Sequence, residues 1–501
     1  MTPKSLLFII FASISVICNA QLNIGKEVMI SLDNEMMQEI EVISLNEEGL
    51  ILVENVIANY GKKATTNFIR YDSTLTEVWR HSYEPPRSFD LTHTFSANEY
   101  VFFFFQEDGE RGYRILRLSK LSGQIVAYES FLLTRMNVKH FTVNGSKALL
   151  GGSYNDRAVV EVFNFVENSS KVLPELYSNN LKVVGLENIQ DSGNFAVLIR
   201  NTRKCLFFIY QFSYDGKLLG SYQIGDRNNV PIGGSLLNFN DNRTLLVGNY
   251  ADNCSSYSTG FYVNDLTTQN EGNFYDFASI DNYLNYLTPK RKKRMREKIK
   301  SRQEKGKDFK IRQRIHLHEL TKTEKGWLMI AEIYYPEYNS NNSTMFLGYR
   351  TYREGQQIYN QFNYSHTFIG EFDRAGNMVW SNSINLRNVS TRQLNDITQL
   401  TKIDDGYMLA YPDDGVIRTS IINSKNEVQP MQSYDLKSLK SDLKIVDVNS
   451  SNLFAWYGQT FLVYGDKRMN SKTSGGDYLA KNVFFLRKLS YAPPETTEVS
   501  N

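Results

Sequence analysis

The sequence predicts an all-β fold, a β-propeller of about eight (seven to eight) four-stranded blades with one basic helical insertion. Three observations predict it. Turn-and-strand openings recur along the 501 residues, five of the seven intervals between them span 46 to 50 residues, and 41% hydrophobic residues suffice for a large core. A unit of 40–50 residues with four short strands is typical of a propeller blade. A row of β-sandwiches is the alternative architecture, but this repeat is short for a sandwich.

Each opening is a polar turn followed by an apolar run, as in the Glu-Gly-Leu-Ile-Leu-Val of residues 48–53. The marker residues of the openings are Gly49, Glu99, Gly145, Gly193, Asn242, Gly326, Gly406 and Asn452. One pair repeats almost literally, because residues 147–156 match residues 243–252 at an offset of 96, twice 48. Phe102 to Phe105 would be hazardous on an exposed edge, so we expect this run in a strand buried between blades.

A second recurring piece is strand, polar turn and strand, seen in residues 70–79, 212–219 and 371–380. The Asp-x-x-Gly-x-x-x-Trp pattern in the last of them resembles the inner hairpins of secreted bacterial β-propellers with quinoprotein-like or WD-like repeats. This resemblance implies a fold and no activity. The ring can close if residues 27–45 supply strands to the same blade as residues 482–491.

The first twenty residues are typical of an export signal. Lys4 precedes an apolar run over residues 6–17, and small residues up to Ala20 suit cleavage before Gln21. Lipidation of Cys18 is the alternative. We therefore predict a signal peptide over 1–20, a propeller over 21–491 and a disordered tail over 492–501. The protein would be exported and periplasmic or associated with the outer envelope, with secretion into the medium also open and no transmembrane segment.

Cleavage would leave two cysteines, Cys205 and Cys254. In an oxidising compartment they can pair and close a loop of about 50 residues. Two separate buried thiols are the other interpretation, because a free cysteine packs as a small hydrophobic residue.

A basic element lies inside the first of two longer repeats, in an insertion over about 279–315. Residues 290–314 hold fourteen basic and three acidic residues, a net charge of +11, whereas the whole chain carries +2. The rest of the mature chain is therefore acidic. Thr288 suits a helix N-cap, Pro289 the first helical position and Gly306 the residue after the end, which predicts a helix over 289–305. Met295 and Ile299 give it a short apolar stripe.

Three interpretations of this helix compete. It can be a solvated helix against the acidic body of its own propeller, a docking arm for an anionic partner, or a nucleic-acid contact. Export, and the absence of aromatic residues among the cations, argue against nucleic acid. The basic side chains expected to contact a protein partner or an anionic envelope component are Lys290, Arg291, Lys292, Lys293, Arg294, Arg296, Lys298, Lys300 and Arg302.

The second longer repeat holds an aromatic and polar hairpin insertion over about 336–364, and Pro336 should end the strand before it. Its aromatic side chains either form a partner surface or pack the insertion onto the blade. The candidate contact residues are Tyr334, Tyr335, Tyr338, Tyr364 and His366.

Familiar catalytic motifs are missing from the sequence. There is no Gly-x-Ser-x-Gly, P-loop or His-Glu-x-x-His. His316 and His318 would face one side of a strand and could bind a metal, but no third ligand is evident, so we predict no metal site, catalytic residue or cofactor. The expected function is a non-enzymatic interaction platform. The alternative is a polysaccharide-active hydrolase or lyase whose carboxylates converge in the central funnel.

Overall fold

Short alternating strands joined by tight polar turns pair with their neighbours in sequence, which gives antiparallel sheets. The structure, a computed structural model, describes most of the chain. The described residues are 21–32, 38–56, 64–86, 88–107, 110–189, 193–226, 228–239, 243–268, 272–340, 357–437, 444–448, 450–472 and 478–492. The predicted signal peptide with Cys18, and the predicted tail beyond residue 492, lie outside these residues.

The first four blades are four-stranded, and in each the strands follow sequence order from the channel outward. Blade 1 holds β2 (Gln38–Ser44), β3 (Leu50–Val56), β4 (Thr65–Tyr71) and β5 (Glu77–Tyr83); blade 2 holds β6 (Phe89–Ser96), β7 (Tyr100–Glu107), β8 (Gly112–Ser119) and β9 (Ile125–Phe131). Blade 3 holds β10 (Asn137–Asn144), β11 (Lys147–Tyr154), β12 (Arg157–Asn164) and β13 (Ser169–Val172); blade 4 holds β14 (Leu181–Asn188), β15 (Phe195–Asn201), β16 (Leu206–Phe212) and β17 (Leu218–Ile224).

The other four blades complete the ring and carry the irregular features. Blade 5 holds β18 (Val230–Asn238), β19 (Thr244–Ala251), β20 (Gly260–Asp265) and β21 (Asn273–Asp276); blade 6 holds β22 (Arg314–Leu317), β23 (Thr321–Lys322), β24 (Gly326–Ser340), β25 (Gln357–Asp373) and β26 (Met378–Thr391). Blade 7 holds β27 (Gln399–Ile403), β28 (Gly406–Asp413), β29 (Val416–Ile422) and β30 (Gln432–Asp435); blade 8 holds β31 (Lys444–Val448), β32 (Asn452–Ala455), β33 (Thr460–Lys472), β34 (Tyr478–Ala492) and β1 (Gln21–Ser31).

The prediction of a propeller is confirmed, with eight blades. Among the markers that the structure describes, all but Asn452 fall where the inner strand of a blade turns into the next strand, as at Gly49 between β2 and β3. Asn452 begins β32, which belongs to the inner edge of blade 8 because it pairs with β33 beside β31. Asn242 lies outside the described residues. Gly49 has a φ of +115°, and an added Cβ would lie 1.9 Å from the Tyr71 carbonyl oxygen, so this turn requires glycine.

Ring closure joins the N-terminal and C-terminal strands, and only the first part of the predicted segment 27–45 takes part in it. β1 pairs antiparallel with β34 from Gln21↔Ala492 to Ser31↔Val483, so the N-terminal strand completes blade 8. The expected closing segment, 27–45, is divided instead. Its second half, β2, begins blade 1 because it pairs with β3.

Eight hydrophobic clusters, one between each pair of adjacent blades, hold the ring together. The phenylalanine run of β7 shows the arrangement. Phe103 and Phe105 pack towards blade 1, whereas Phe102 and Phe104 pack towards blade 3. All four are at most 3% exposed, which confirms the predicted burial.

The first insertion connects β21 to β22 and contains a 3₁₀ turn (Tyr283–Tyr286) and the helix α1 (Pro289–Gln303). Thr288 is the N-cap by position, but its side chain makes no capping hydrogen bond. The helix ends two residues before the predicted Lys305, and Gly306 follows in the left-handed conformation, with its N–H bonded to the Gln303 carbonyl.

The second insertion lengthens a hairpin inside a blade. β24 and β25 stay paired as far as Ser340↔Gln357, well beyond the other strands of blade 6. The prediction that Pro336 ends the strand is wrong, since Pro336 lies within β24 and pairs with Phe362. β22 pairs with β24 only up to Tyr334, so Pro336 lies on an edge where no inner strand needs its missing N–H.

Cys205 and Cys254 form a disulfide, which selects the paired alternative. The bond links the β15–β16 turn of blade 4 to the β19–β20 turn of blade 5 and is consistent with an oxidising compartment. Among the described residues, no helix is both long and apolar enough to cross a membrane.

Candidate interaction face and central channel

One face of the ring carries both insertions. In an antiparallel blade, the connection from the second to the third strand and the connection to the next blade leave from the same edge. α1 belongs to the second kind of connection and the long hairpin to the first. Contacts confirm that they meet, because His366 of the hairpin stacks on Tyr286 of the 3₁₀ turn with ring centroids 3.5 Å apart. We call this side the insertion face.

α1 is attached to the ring by the side chains spaced three and four residues apart on its inner side. Ile299 is 4% exposed and Met295 packs beside it on the cluster between blades 5 and 6. Lys292 donates from Nζ to the Asn285 side chain, 2.5 Å away. Arg296 donates to the carbonyls of residues 278, 280 and 281. Lys292 and Arg296, predicted as partner contacts, therefore hold the helix in place.

The outer side of α1 presents cations to solvent. Lys290, Arg291, Lys293 and Arg294 are exposed, and none of their side chains makes an ion pair or hydrogen bond with another described residue. The same holds for Arg302. Lys298 lies 5.4 Å from the Phe309 ring centroid, and Lys300 lies 4.0 Å from the Glu304 carboxylate, but both remain exposed.

Three of the cations that follow the helix, Lys310, Arg312 and Arg314, are bound to the ring. Lys310 Nζ lies 2.9 Å from the Asp276 carboxylate, and Arg312 makes a two-pronged ion pair with Asp252. Arg314 lies over the Tyr257 ring, 5.1 Å from its centroid. The basic segment thus divides into a structural part and a solvent-facing part.

The aromatic hairpin divides in the same way. Tyr335 and Tyr338 are 56% and 45% exposed, whereas Tyr334 is half-buried against Phe362. Tyr364 is 4% exposed. Its hydroxyl donates a hydrogen bond to the Asn395 carbonyl at 3.1 Å and accepts one from the Asn395 N–H at 3.0 Å. Tyr364 therefore fixes the hairpin base to the connection between blades 6 and 7 and is not accessible to a partner.

His366 is a packing residue as well. It is fully buried, it stacks on Tyr286 and its ring contacts Tyr283 edge to face. Burial lowers the pKa of His366 to about 3, so the ring is neutral at physiological pH. This burial removes His366, with Tyr364, from the predicted contact set.

The central channel opens as a cavity of about 1240 Å³. Four carboxylates line it, contributed by Glu39, Glu41, Glu319 and Asp396. The Glu41 side chain reaches channel water, yet the surrounding protein raises its pKa, and a hydrogen bond from Thr94 opposes that rise. Burial, with the nearby Glu41 and Asp396 charges, raises the pKa of Tyr464 to about 12. The channel is therefore lined by titratable groups, as the enzymatic alternative requires.

The strand β22 and the segment after it place His316 and His318 on the same side, as predicted. The structure adds the third residue that the sequence did not reveal, because Asp396 enters from the connection between blades 6 and 7. His316 Nε2 lies 2.8 Å from Asp396 Oδ1, and His318 Nε2 lies 3.6 Å from the same oxygen. Asp396 is 80 positions from His316 in sequence. Only the docking of blade 7 on blade 6 brings them together.

No protein-family model matches the chain, and no curated protein matches it. Solved structures with similar folds include hydrazine synthase from Kuenenia stuttgartiensis, with a TM-score of 0.38, 10% identity, and coverage of 66% of this chain and 76% of that chain. The Dos1 propeller matches with a TM-score of 0.38 and 11% identity, over 80% of this chain and 92% of that chain. A quinonprotein alcohol dehydrogenase-like protein from Bacteroides thetaiotaomicron matches with a TM-score of 0.35 and 11% identity, over 71% of this chain and 67% of that chain. The resemblance is to β-propeller proteins in general and assigns no family.

Proposed function

We propose that this protein is an exported, non-enzymatic interaction platform that binds an anionic partner, a protein or another envelope component, through the outer side of α1. One observation carries the proposal: a helix anchored on its inner side presents a row of unpaired cations on its outer side. A helix that served only to cover the ring would gain nothing from so large an excess of cations over acidic residues on its outer side.

The first turn of α1 makes this arrangement costly for the free protein. Lys290, Arg291 and Lys292 stand at the positive end of the helix dipole, and no acidic residue occupies that turn. The exposed charges of Lys290 and Arg291 are each unfavourable there by about 0.3–1 kcal/mol. A bound anion would reverse the sign of this interaction, because it would meet both the side-chain charges and the helix terminus.

The exposed hairpin tyrosines extend the same surface. Tyr335 and Tyr338 project from the insertion face, and tyrosine supplies contact area together with a polar hydroxyl. We assign them to the contact set with Lys290, Arg291, Lys293, Arg294, Lys298, Lys300 and Arg302.

The test compares two variants of equal net charge. One changes Lys290, Arg291, Lys293 and Arg294 to Gln, and the control changes the exposed Lys139, Lys182, Lys217 and Lys425 to Gln. Binding of each full chain to polyglutamate, a defined acidic probe, is measured by fluorescence anisotropy across a salt series. Recovery of partners from solubilised envelopes is measured alongside.

We expect the helix variant to lose at least tenfold in affinity and the control to lose little, because only the helix clusters its cations. Equal losses of affinity in the two variants would show that binding depends on the net charge of the protein and not on α1. Undiminished binding by the helix variant, or binding unchanged in molar salt, would refute the role of α1.

The second candidate function is a polysaccharide-active hydrolase or lyase in the channel. The observation in its favour is the set of four channel carboxylates, with the pKa of Glu41 raised in the direction that suits a general acid. Release of reducing ends or unsaturated products from a panel of polysaccharides tests it. Activity that Glu41→Gln abolishes would establish the enzymatic function. An inactive wild-type chain would leave the interaction platform as the remaining candidate.

A further inference from the structure

We propose that His316, His318 and Asp396 bind a first-row transition-metal dication, for which Zn²⁺ is the probe, on the wall of the central channel. The three ligand atoms, two imidazole nitrogens and one carboxylate oxygen, lie within 4.8 Å of one another. Nitrogen and oxygen ligands about 2.0–2.1 Å from tetrahedral zinc stand roughly 3.3 Å apart. Small side-chain rotations are therefore enough to close the site.

Buried atoms without partners provide an independent indication. The His318 side chain is 5% exposed, and its Nε2 has no hydrogen-bond partner among the described residues. The nearest acceptor, Glu332 Oε1, is 3.2 Å away without hydrogen-bond alignment, and Glu332 Oε2 has no partner either. Buried polar atoms are satisfied in the great majority of cases, so two such atoms at one place point to a bound cation.

Glu332 holds the carboxylate ligand in position. It is fully buried, and its Oε1 accepts hydrogen bonds from the backbone N–H groups of Ile397 and Thr398, at 3.0 Å and 2.5 Å. These two residues directly follow Asp396. Glu332 thereby fixes the segment that presents Asp396 to the two histidines, as outer residues do around metal ligands.

The channel gives a cation a route to the site. Asp396 lines the channel cavity, and its side chain is 46% exposed. The His318 side chain behind it is buried, with 5% exposed. The other channel carboxylates make the path acidic, which favours entry of a dication. Three protein ligands leave a coordination position open to channel water.

The donor set selects the kind of metal. Imidazole nitrogen suits zinc, copper, iron and nickel, whereas Ca²⁺ and Mg²⁺ prefer sites made of oxygen. The cysteines do not compete, because Cys205 and Cys254 are joined in the disulfide.

The experiment uses the full chain, free of affinity tag and stripped with a chelator, titrated with Zn²⁺ in competition with a chromophoric chelator. We expect one Zn²⁺ per chain. His316→Gln, His318→Gln and Asp396→Asn should each weaken binding at least tenfold, while His81→Gln, an exposed histidine of blade 1, should not.

Two further measurements keep the result decisive. Co²⁺ should give visible ligand-field bands in the wild-type chain that Asp396→Asn removes, and circular dichroism should show that this variant of a half-exposed residue still folds. Absence of a Zn²⁺ stoichiometry near one, Asp396→Asn binding like wild type, or preference for Ca²⁺ over Zn²⁺ would each overturn the proposal.

Discussion

Single residues on α1 have opposite roles within one turn. Arg294 points to solvent, whereas Arg296 is half-buried and donates to three backbone carbonyls. The sequence predicted the inner stripe from Met295 and Ile299, because apolar spacing is visible in it. It could not separate the arginines, since the carbonyls that bind Arg296 belong to a turn whose path depends on blade 5.

This difference gives a matched pair of variants. Arg296→Met should lower the free energy of unfolding by about 1.5–3 kcal/mol, because it removes charge-assisted hydrogen bonds and leaves carbonyls without donors. Arg294→Met should change it by less than about 0.5 kcal/mol. Urea denaturation followed by tryptophan fluorescence measures both. Similar losses in the two variants would show that Arg296 is not an anchor.

Glu187 on β14 gives the fold a dependence on pH. Burial raises its pKa to about 7, the Leu236 N–H opposes this as a hydrogen-bond donor, and Glu319 adds to the rise. A carboxyl whose pKa is higher in the folded state destabilises that state as pH rises from about 4.3 to about 7. The effect is present in full above pH 7 and absent below pH 4.

Glu187→Gln should therefore stabilise the protein at pH 8, by at most about 4 kcal/mol, and change little at pH 4.5. The Glu187 side chain is only partly buried, so the measured gain should lie below this limit. Denaturant titrations at the two pH values test it, with Glu47→Gln, an exposed residue, as control. A gain that is the same at both pH values would contradict the ionisation argument.

At the scale of elements, sequence punctuation predicted α1 to within two residues at its C-terminal end, because Pro289 and Gly306 constrain the backbone directly. The same reasoning failed at Pro336, where the outcome depends on whether an inner strand needs the missing N–H. The sequence pointed to His316 and His318 as a possible metal-binding pair but not to Asp396, because Asp396 lies 80 positions away in the connection between blades 6 and 7. Helix ends depend on neighbouring residues and can be predicted from the sequence, whereas contacts between blades cannot.

The disulfide is the element whose removal is simplest to predict. It joins turns of blades 4 and 5 across 49 positions. Cys205→Ser with Cys254→Ser should lower the free energy of unfolding by about 4 kcal/mol if the effect is chain entropy. Denaturation with and without reductant measures it, and reductant should not affect the double variant. A wild type insensitive to reduction would show that the bond contributes no stability.

At the scale of the whole molecule, the repeat length predicted the ring. The markers predicted seven to eight blades, and the structure has eight. The residues that lock it were not predicted. Glu27 of β1 accepts a hydrogen bond from Lys467 and another from Arg487, at 2.5 Å. The Lys467 and Arg487 side chains are 2% and 3% exposed. Burial lowers the pKa of Lys467, and Glu27 opposes this.

Glu27→Ala should lower the free energy of unfolding by about 3–5 kcal/mol, because it leaves two buried cations without a counter-charge. Lys26→Ala, on the same strand, removes only an exposed hydrogen bond to Thr76 and should be nearly neutral. Differential scanning calorimetry compares the two. A Glu27→Ala chain as stable as Lys26→Ala would show that the ion pairs do not secure the closure.

The seam in blade 8 also orders the assembly of the molecule. The strands of blades 1 to 7 are near neighbours in sequence, whereas Glu27 and Arg487 are 460 positions apart. Contacts between such distant segments form slowly, because the chain entropy of bringing them together is large. Blade 8 should therefore be the last sheet to form during folding and the first to open under thermal fluctuation, so amide exchange should begin there while the opposite arc of the ring is still protected.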